Sequence, residues 1–453
     1  MDFSRRDFSK FIAGAGAAAA LGQLARTSAI AAGGTGYRAM VGVFLFGGND
    51  GWNMVVPTDS RYAGYAASRG TVALAQARLT TLGGAAFALH PAMAPLNAVW
   101  DEGALGLVLN AGTLFAPLTK ATYQSRSDLR PTNLLSHSDE QAHWQGLRAR
   151  TDNFDGFMGR IADRSATPAT PALISLGGSN LAVIGQTSAP LILPSTGTLS
   201  RTGYTTGSSA KNSAIDAFAT AAGMGTIADV TAKQITAAYT QATTANTILT
   251  ATSGVDAFFV NPTTGATLTS DVSRQLLRVA RMIEARGSLG HDRQTFFVTQ
   301  GGYDNHSAQV NTDTSAGTHA NLLGDLALAL SAFHRALKSL GVADGVTTFT
   351  MSDFGRTYKG NAQAGTDHAW GSNHLVMGAA LKARTVHGLY PATTLGGADD
   401  VASEGRFLPQ IAQEEYLGAI ARWHGVTDTD MPYVMPNWST WTTGGRGPLG
   451  LFA

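Results

Sequence analysis

Three times along this chain a short apolar run ends at a polar loop carrying an aspartate. Met40 to Phe46, rich in β-prone Val and Phe, stops at Gly47 and Gly48 and opens onto Asn49, Asp50 and Gly51. Thr295 to Thr299 leads through Gly301 and Gly302 to Tyr303, Asp304, Asn305 and His306, and Val346 to Met351 leads into Ser352, Asp353, Phe354, Gly355 and Arg356. Each reads as a buried strand feeding a tight loop. Between them the period changes. Ser273 to Arg286 places Leu276, Leu277, Val279, Ala280 and Ile283 on one helical face, and Leu322 to Leu340 repeats the pattern with Leu326, Leu330, Phe333 and Leu337. Strands alternating with helices predict an α/β fold whose parallel sheet is covered on both faces, with ligands collecting where the carboxyl ends of the strands meet. From about Thr187 to Ser270 the periods thin out and Ser, Thr, Ala and Gly dominate, which predicts an insertion or cap at about 187–270.

The amino end follows other rules. Ser4, Arg5, Arg6, Asp7, Phe8, Ser9 and Lys10 form a twin-arginine pattern, Phe11 to Gly22 is an uncharged run too short for a permanent span, and Ala29 and Ala31 are the small residues that place cleavage before Ala32. Residues 1–31 are therefore expected to be a signal peptide that engages the Tat translocase, and 32–453 one large domain working in the periplasm or outside the cell. Formal net charge is only +1, and no basic run interleaved with aromatics follows the signal, so nucleic acid is excluded as a partner. No later apolar run is long enough to leave a membrane anchor after cleavage. Cysteine is absent, so disulfides, thiol nucleophiles and thiolate metal sites are excluded, and a metal would need His, Asp, Glu or hydroxyl ligands.

Strand-end carboxylates are good metal ligands because the sheet fixes their backbone, and Asp50, Asp304 and Asp353 hold such positions. His306 follows Asp304 by two residues, and His368 follows Asp367 in the run from Gly365 to His374. The plain alternative is that each aspartate caps a helix or forms a turn. A further cluster runs from Thr132 to Gln141 and on to His143 and Trp144. Within it, Ser136 and Ser138 read equally well as helix caps or as a nucleophilic hydroxyl held beside a metal at a helix start; Thr113 and water are the other candidate nucleophiles. Arg356 reads as an anion clamp or as a buried ion-pair partner.

These segments resemble, in order, a large family of exported bacterial proteins, domain of unknown function 1501. The resemblance is carried by Phe-Gly-Gly-Asn-Asp-Gly-Trp-Asn and Val-Val-Pro between Val43 and Pro57, and by Leu89-His90-Pro91 before Met93 and Pro95. It continues in Ser136-His137 with Gln141 and Trp144, in Gly301 to His306, in Ser352 to Arg356 and in Gly365 to His368. That family is similar to the alkaline phosphatase and sulfatase superfamily. The resemblance implies a three-layer α/β/α fold with a central, largely parallel mixed sheet, and a site for divalent metal (Zn, Mg, Mn or Ca) at the strand ends. Asp304, His306 and His368 resemble the ligands of one metal and Asp50 and Asp353 those of a second, with Ser136 or Ser138 near the nucleophile. Where the superfamily commonly has a histidine after the third aspartate, Phe354 stands here, so a second metal would be missing, would turn to His374 or His137, or would bind weakly. The function implied is an exported metal-dependent hydrolase of phosphate or sulfate esters, small-molecule or envelope-polymer, with a hydroxyl or metal-bound water as nucleophile. The alternatives are a catalytically inactive relative that binds an envelope polymer or a partner protein and, third, a single-metal esterase.

Overall fold

A computed structural model describes residues 36–165, 168, 170–200, 209–443 and 445–453. The expected signal peptide, residues 1–31, lies outside them. The strands are β1 (Arg38–Leu45), β2 (Val55–Pro57), β3 (Thr80–Thr81), β4 (Phe87–Leu89), β5 (Leu105–Gly112), β6 (Leu173–Ser175), β7 (Leu191–Ile192), β8 (Arg293–Gln300), β9 (Val346–Ser352), β10 (Ser372–Met377), β11 (Val386–His387) and β12 (Ile411–Ala412). Nine of them form one sheet in the order β11-β5-β10-β9-β1-β8-β6-β7, with β12 also beside β5, while β2, β4 and β3 make a small second sheet. In the large sheet β10 runs antiparallel to β5 and β9, and every other pairing is parallel.

Residues of β1 divide between the two faces with the period of two that a pleated strand imposes. Ala39, Val41, Val43 and Leu45 join one apolar cluster, and Met40 and Phe44 the other. The helices that matter here are α1 (Gly51–Met54), α2 (His137–Gly146), α3 (Phe157–Asp163), α4 (Ser209–Thr220), α5 (Thr226–Thr250), α6 (Asp271–Glu284), α7 (Thr318–Ser339) and α8 (Gln413–His424). The first cluster takes Leu276, Val279 and Ile283 from α6 and Leu326, Leu330, Phe333 and Leu337 from α7, the apolar faces expected from the sequence. The second takes Trp144 from α2, Phe157 and Ile161 from α3, and Leu417 and Ile420 from α8. The result is a three-layer α/β/α fold. Residues of the Ser/Thr/Ala-rich stretch supply edge strand β7 and the helices α4 and α5; of α5 only Ala232, Ala245 and Leu249 are buried. Among the described residues no helix is long and apolar enough to cross a membrane.

Register decides where the site forms. Leu45 lies opposite both Gln300 and Ser352, so β1, β8 and β9 finish level at one rim. The loop after β1 turns through Gly47 and Gly48, both at positive φ, which glycine adopts without a Cβ clash. Gly47 also passes so close to the β8 loop that a Cβ there would lie 2.4 Å from the backbone nitrogen of Asp304.

Candidate metal centre

Asp353 closes the rim from beneath. Fully buried, it accepts hydrogen bonds from the Gly47 N–H (3.2 Å), from Nδ1 of His137 (2.7 Å) and from Nε2 of Gln141 (2.8 Å), so it ties the first residue of α2 to the loop after β1. Beyond Asp353 the chain doubles back, and Arg356 and His368 face each other across an isolated antiparallel bridge. His306 arrives from the β8 loop, and its Nδ1 lies 2.7 Å from Oδ1 of Asp367. Nδ1 of His368 lies 2.9 Å from the carbonyl oxygen of Leu135.

These three partners settle the tautomers. A carbonyl oxygen and two carboxylates accept, so each imidazole carries a hydrogen on Nδ1 and, in its neutral form, presents a lone pair at Nε2. Those lone pairs converge. Nε2 of His368 is 3.1 Å from Nε2 of His137 and 3.0 Å from Nε2 of His306. The carboxylate of Asp304 completes the group: its Oδ1 is 3.0 Å from Nε2 of His306 and 3.4 Å from Nε2 of His368, and its Oδ2 is 3.6 Å from Nε2 of His137. In neutral rings no hydrogen lies between any of these atoms. His137, Asp304 and His368 set ligand atoms within 4.8 Å of one another, and Nε2 of His306 lies beside Asp304 and His368; electron pairs so placed repel one another unless a proton or a metal cation sits among them.

Electrostatics around the group are consistent with this geometry. Burial pushes the Asp304 carboxyl up, but the hydrogen bond and charge of Arg356, with His306 and His137, carry it below its ordinary value. The hydrogen bond to Asp353 raises His137, whereas burial lowers His368. Burial likewise opposes ionisation of Asp367, and the hydrogen bonds from His306 and Asn361 prevail, holding it low. The side chain of Asp304 is 47 % exposed, so the group opens to solvent.

The structure thus brings together Asp304, His306 and His368, and adds His137, which the sequence offered only as a substitute ligand for a second metal. It does not bring Asp50 or Asp353 into the group. Asp50 is sealed against the buried guanidinium of Arg69, accepts from Nε2 of Gln309 (2.5 Å), and caps α1 through the backbone N–H groups of Trp52 and Asn53. Asp353 has its oxygens taken by the three donors already named and acts on His137 from behind. Arg356 is a buried ion-pair partner rather than an open anion clamp: it donates from Nη1 to Asp304 (2.9 Å) and from Nη2 to the carbonyl of Thr366 (2.5 Å). Ser136 and Ser138 turn their hydroxyls to Asp139, at 2.6 and 3.3 Å, and Ser136 makes no side-chain cap bond. Thr113 faces Gln413, and His374 lies buried against Trp144, where desolvation lowers it to about 3. The phenyl ring of Phe354 packs 4.7 Å, centroid to centroid, from both His137 and His368, so an apolar wall stands where a second set of ligands was considered.

A signal for His137 was present in the sequence, since it sits beside Ser136 at a helix start. What was lacking was the 2.7 Å contact with Asp353, 216 residues away, that aims its ring. The chain belongs to the family described as protein of unknown function (DUF1501), whose model matches residues 37–413 and so takes in every member of this group. No curated protein matches the chain.

Proposed function

We propose that this member of the family is an exported, metal-dependent hydrolase of phosphate or sulfate esters that works with one divalent cation held by His137, Asp304, His306 and His368. The observation that carries the reading is that His137, Asp304 and His368 set ligand atoms within 4.8 Å of one another at a solvent-facing carboxylate, with Nε2 of His306 3.0 Å from both Nε2 of His368 and Oδ1 of Asp304. The residues fit a metal in kind as well as in place. Metal-binding histidines characteristically donate their second ring N–H to a carboxylate or carbonyl, as all three do here. Nitrogen-rich ligand sets suit zinc, whose bonds of about 2.0–2.1 Å set tetrahedral ligand separations of about 3.3–3.4 Å; the contacts that His368 and Asp304 make within the group run from 3.0 to 3.6 Å.

A cation bound there would acidify water and offset the charge that builds on the ester oxygens. The chain's own residues do the remaining work. Asp353, Asp367 and the Leu135 carbonyl keep the imidazoles in one tautomer, and Arg356 holds Asp304 ionised. Water is the nucleophile this arrangement favours, because Ser136 and Ser138 face Asp139. Export rests on the twin-arginine pattern at Arg5 and Arg6. One observation favours a second reading, metal-dependent binding of an envelope polymer without turnover: Arg356 is sealed and committed to Asp304 and Thr366, so it does not reach out to an anionic ester.

The test is to purify the mature protein, measure bound metal by mass spectrometry, and follow aryl phosphate and aryl sulfate hydrolysis with and without chelator. Near-stoichiometric metal with chelator-sensitive turnover is expected. Metal without turnover leaves the binding reading, and a protein that neither retains nor rebinds metal defeats both.

A further inference from the structure

The buried pair Asp50–Arg69 carries no role in the proposed reaction, yet a single run of side chains connects it to the metal group. Arg69 is held by Asp50 and by the carbonyls of Thr357 (3.1 Å) and Tyr358 (3.0 Å). Nε2 of Gln309 donates to Asp50, and Oε1 of the same amide accepts from the hydroxyl of Thr366, each at 2.5 Å. That hydroxyl accepts in turn from Nε of Arg356 (3.4 Å), whose Nη1 donates to Oδ1 of Asp304 (2.9 Å). All of these side chains except that of Asp304 are buried.

We propose that Asp50 and Arg69 form a fixed electrostatic anchor which, through Gln309, Thr366 and Arg356, sets the orientation in which Asp304 meets the cation. The inference rests on the metal-centre reading and deepens it. Charge alternates along the run, from Arg69 to Asp50 and from Arg356 to Asp304, with a neutral amide and hydroxyl between the two pairs. The neutral joint gives the run its direction. Gln309 must present its NH2 to the acceptor-only Asp50, so its carbonyl is left for Thr366; the Thr366 hydroxyl therefore points its hydrogen at Gln309 and its lone pair at Arg356. A guanidinium is a planar fork, so fixing Nε and Nη2 against Thr366 holds Nη1 between Asp304 (2.9 Å) and the Gly47 carbonyl (3.4 Å). A carboxylate on a mobile, solvent-exposed loop would lose rotamer entropy on binding metal, and one already clamped has lost it. Asp50 is thus a positioning residue acting at a distance, with a guanidinium beside it where a second cation was expected.

Thr366→Val removes the joint at nearly constant volume, and Thr366→Ser restores the hydroxyl. Loaded with Co2+, Thr366→Val should bind the metal about tenfold more weakly than wild type, the low end for outer-shell changes. It should also show a shifted visible absorption band, while Thr366→Ser stays close to wild type in both. Gln309→Met, cutting the run one residue earlier, should reproduce the effect and serves if Thr366→Val does not fold. A folded Thr366→Val with wild-type affinity and spectrum overturns the anchor while leaving the metal centre intact. A wild-type protein that binds neither Co2+ nor Zn2+ removes the metal centre itself.

Discussion

Replacing Asp353 by Asn separates a metal ligand from a residue that aims one. In the wild type the two oxygens share three donors, the Gly47 N–H on Oδ1 and both His137 Nδ1 and Gln141 Nε2 on Oδ2. An amide has one accepting oxygen. If that oxygen faces His137 and Gln141, the new NH2 is driven against the Gly47 N–H, and a buried donor left unpaired costs about 1–3 kcal/mol. If the amide is flipped, NH2 faces Nδ1 of His137, the ring must move its hydrogen to Nε2, and the ligand lone pair is lost. The first arrangement is favoured because it preserves two bonds at the expense of one. It also replaces a carboxylate by a neutral acceptor behind His137, making that nitrogen less basic. Outer-shell changes of this kind weaken metal binding about 10- to 100-fold, which is about 1.4–2.7 kcal/mol. Competition titration of Zn2+ against a chromophoric chelator should therefore give Asp353→Asn a Kd raised by that factor with stoichiometry still near one. An unchanged Kd would refute the argument that Asp353 orients His137, and loss of stoichiometric binding would make Asp353 a ligand after all.

Other perturbations should leave distinct marks. Asp50→Asn leaves Arg69 buried without its counter-charge and should cost about 3–5 kcal/mol in urea unfolding. Burial opposes ionisation of Asp50, but Arg69, His319 and Gln309 carry its carboxyl below the ordinary value. The resulting stability is present above the unfolded pKa of about 4 and disappears as pH falls through the folded one, so the wild-type midpoint should drop on the acid side and the variant's drop should be shallower. Glu414 behaves oppositely: burial raises it to about 8, so the folded state holds a proton that the unfolded state releases above its own, lower pKa. Stability should then decline between about pH 4.5 and 8, and Glu414→Gln should gain on wild type across that window in thermal melts; a constant difference between the two would rule this out. Gly47→Ala forces a Cβ to 2.4 Å from the Asp304 nitrogen at a φ of +112°. It should abolish tight metal binding and lower stability by about 1–3 kcal/mol, and a variant that retains both would show that the β1 and β8 loops do not depend on this close passage.

Local pattern determined a good deal of this protein. The strand-to-aspartate junctions appear in place as β1, β8 and β9, and the apolar faces read for Ser273 to Arg286 and Leu322 to Leu340 are those of α6 and α7. These features depend on neighbours within a few residues, so a periodic string suffices to reveal them. Strand β10 was not legible, since an antiparallel strand wedged between β5 and β9 differs from a parallel one in its partners rather than its own composition. The division of labour among the carboxylates was equally hidden. Asp50, Asp304 and Asp353 sit alike in sequence, each just beyond a strand. Packing alone gave Asp50 the guanidinium of Arg69, gave Asp353 the ring of His137, and left Asp304 facing water among three imidazoles. Whether a carboxylate binds a cation, pairs with an arginine or aims a histidine depends on the charge and hydration within a few ångströms of it, and those neighbours come from parts of the chain that only folding brings together.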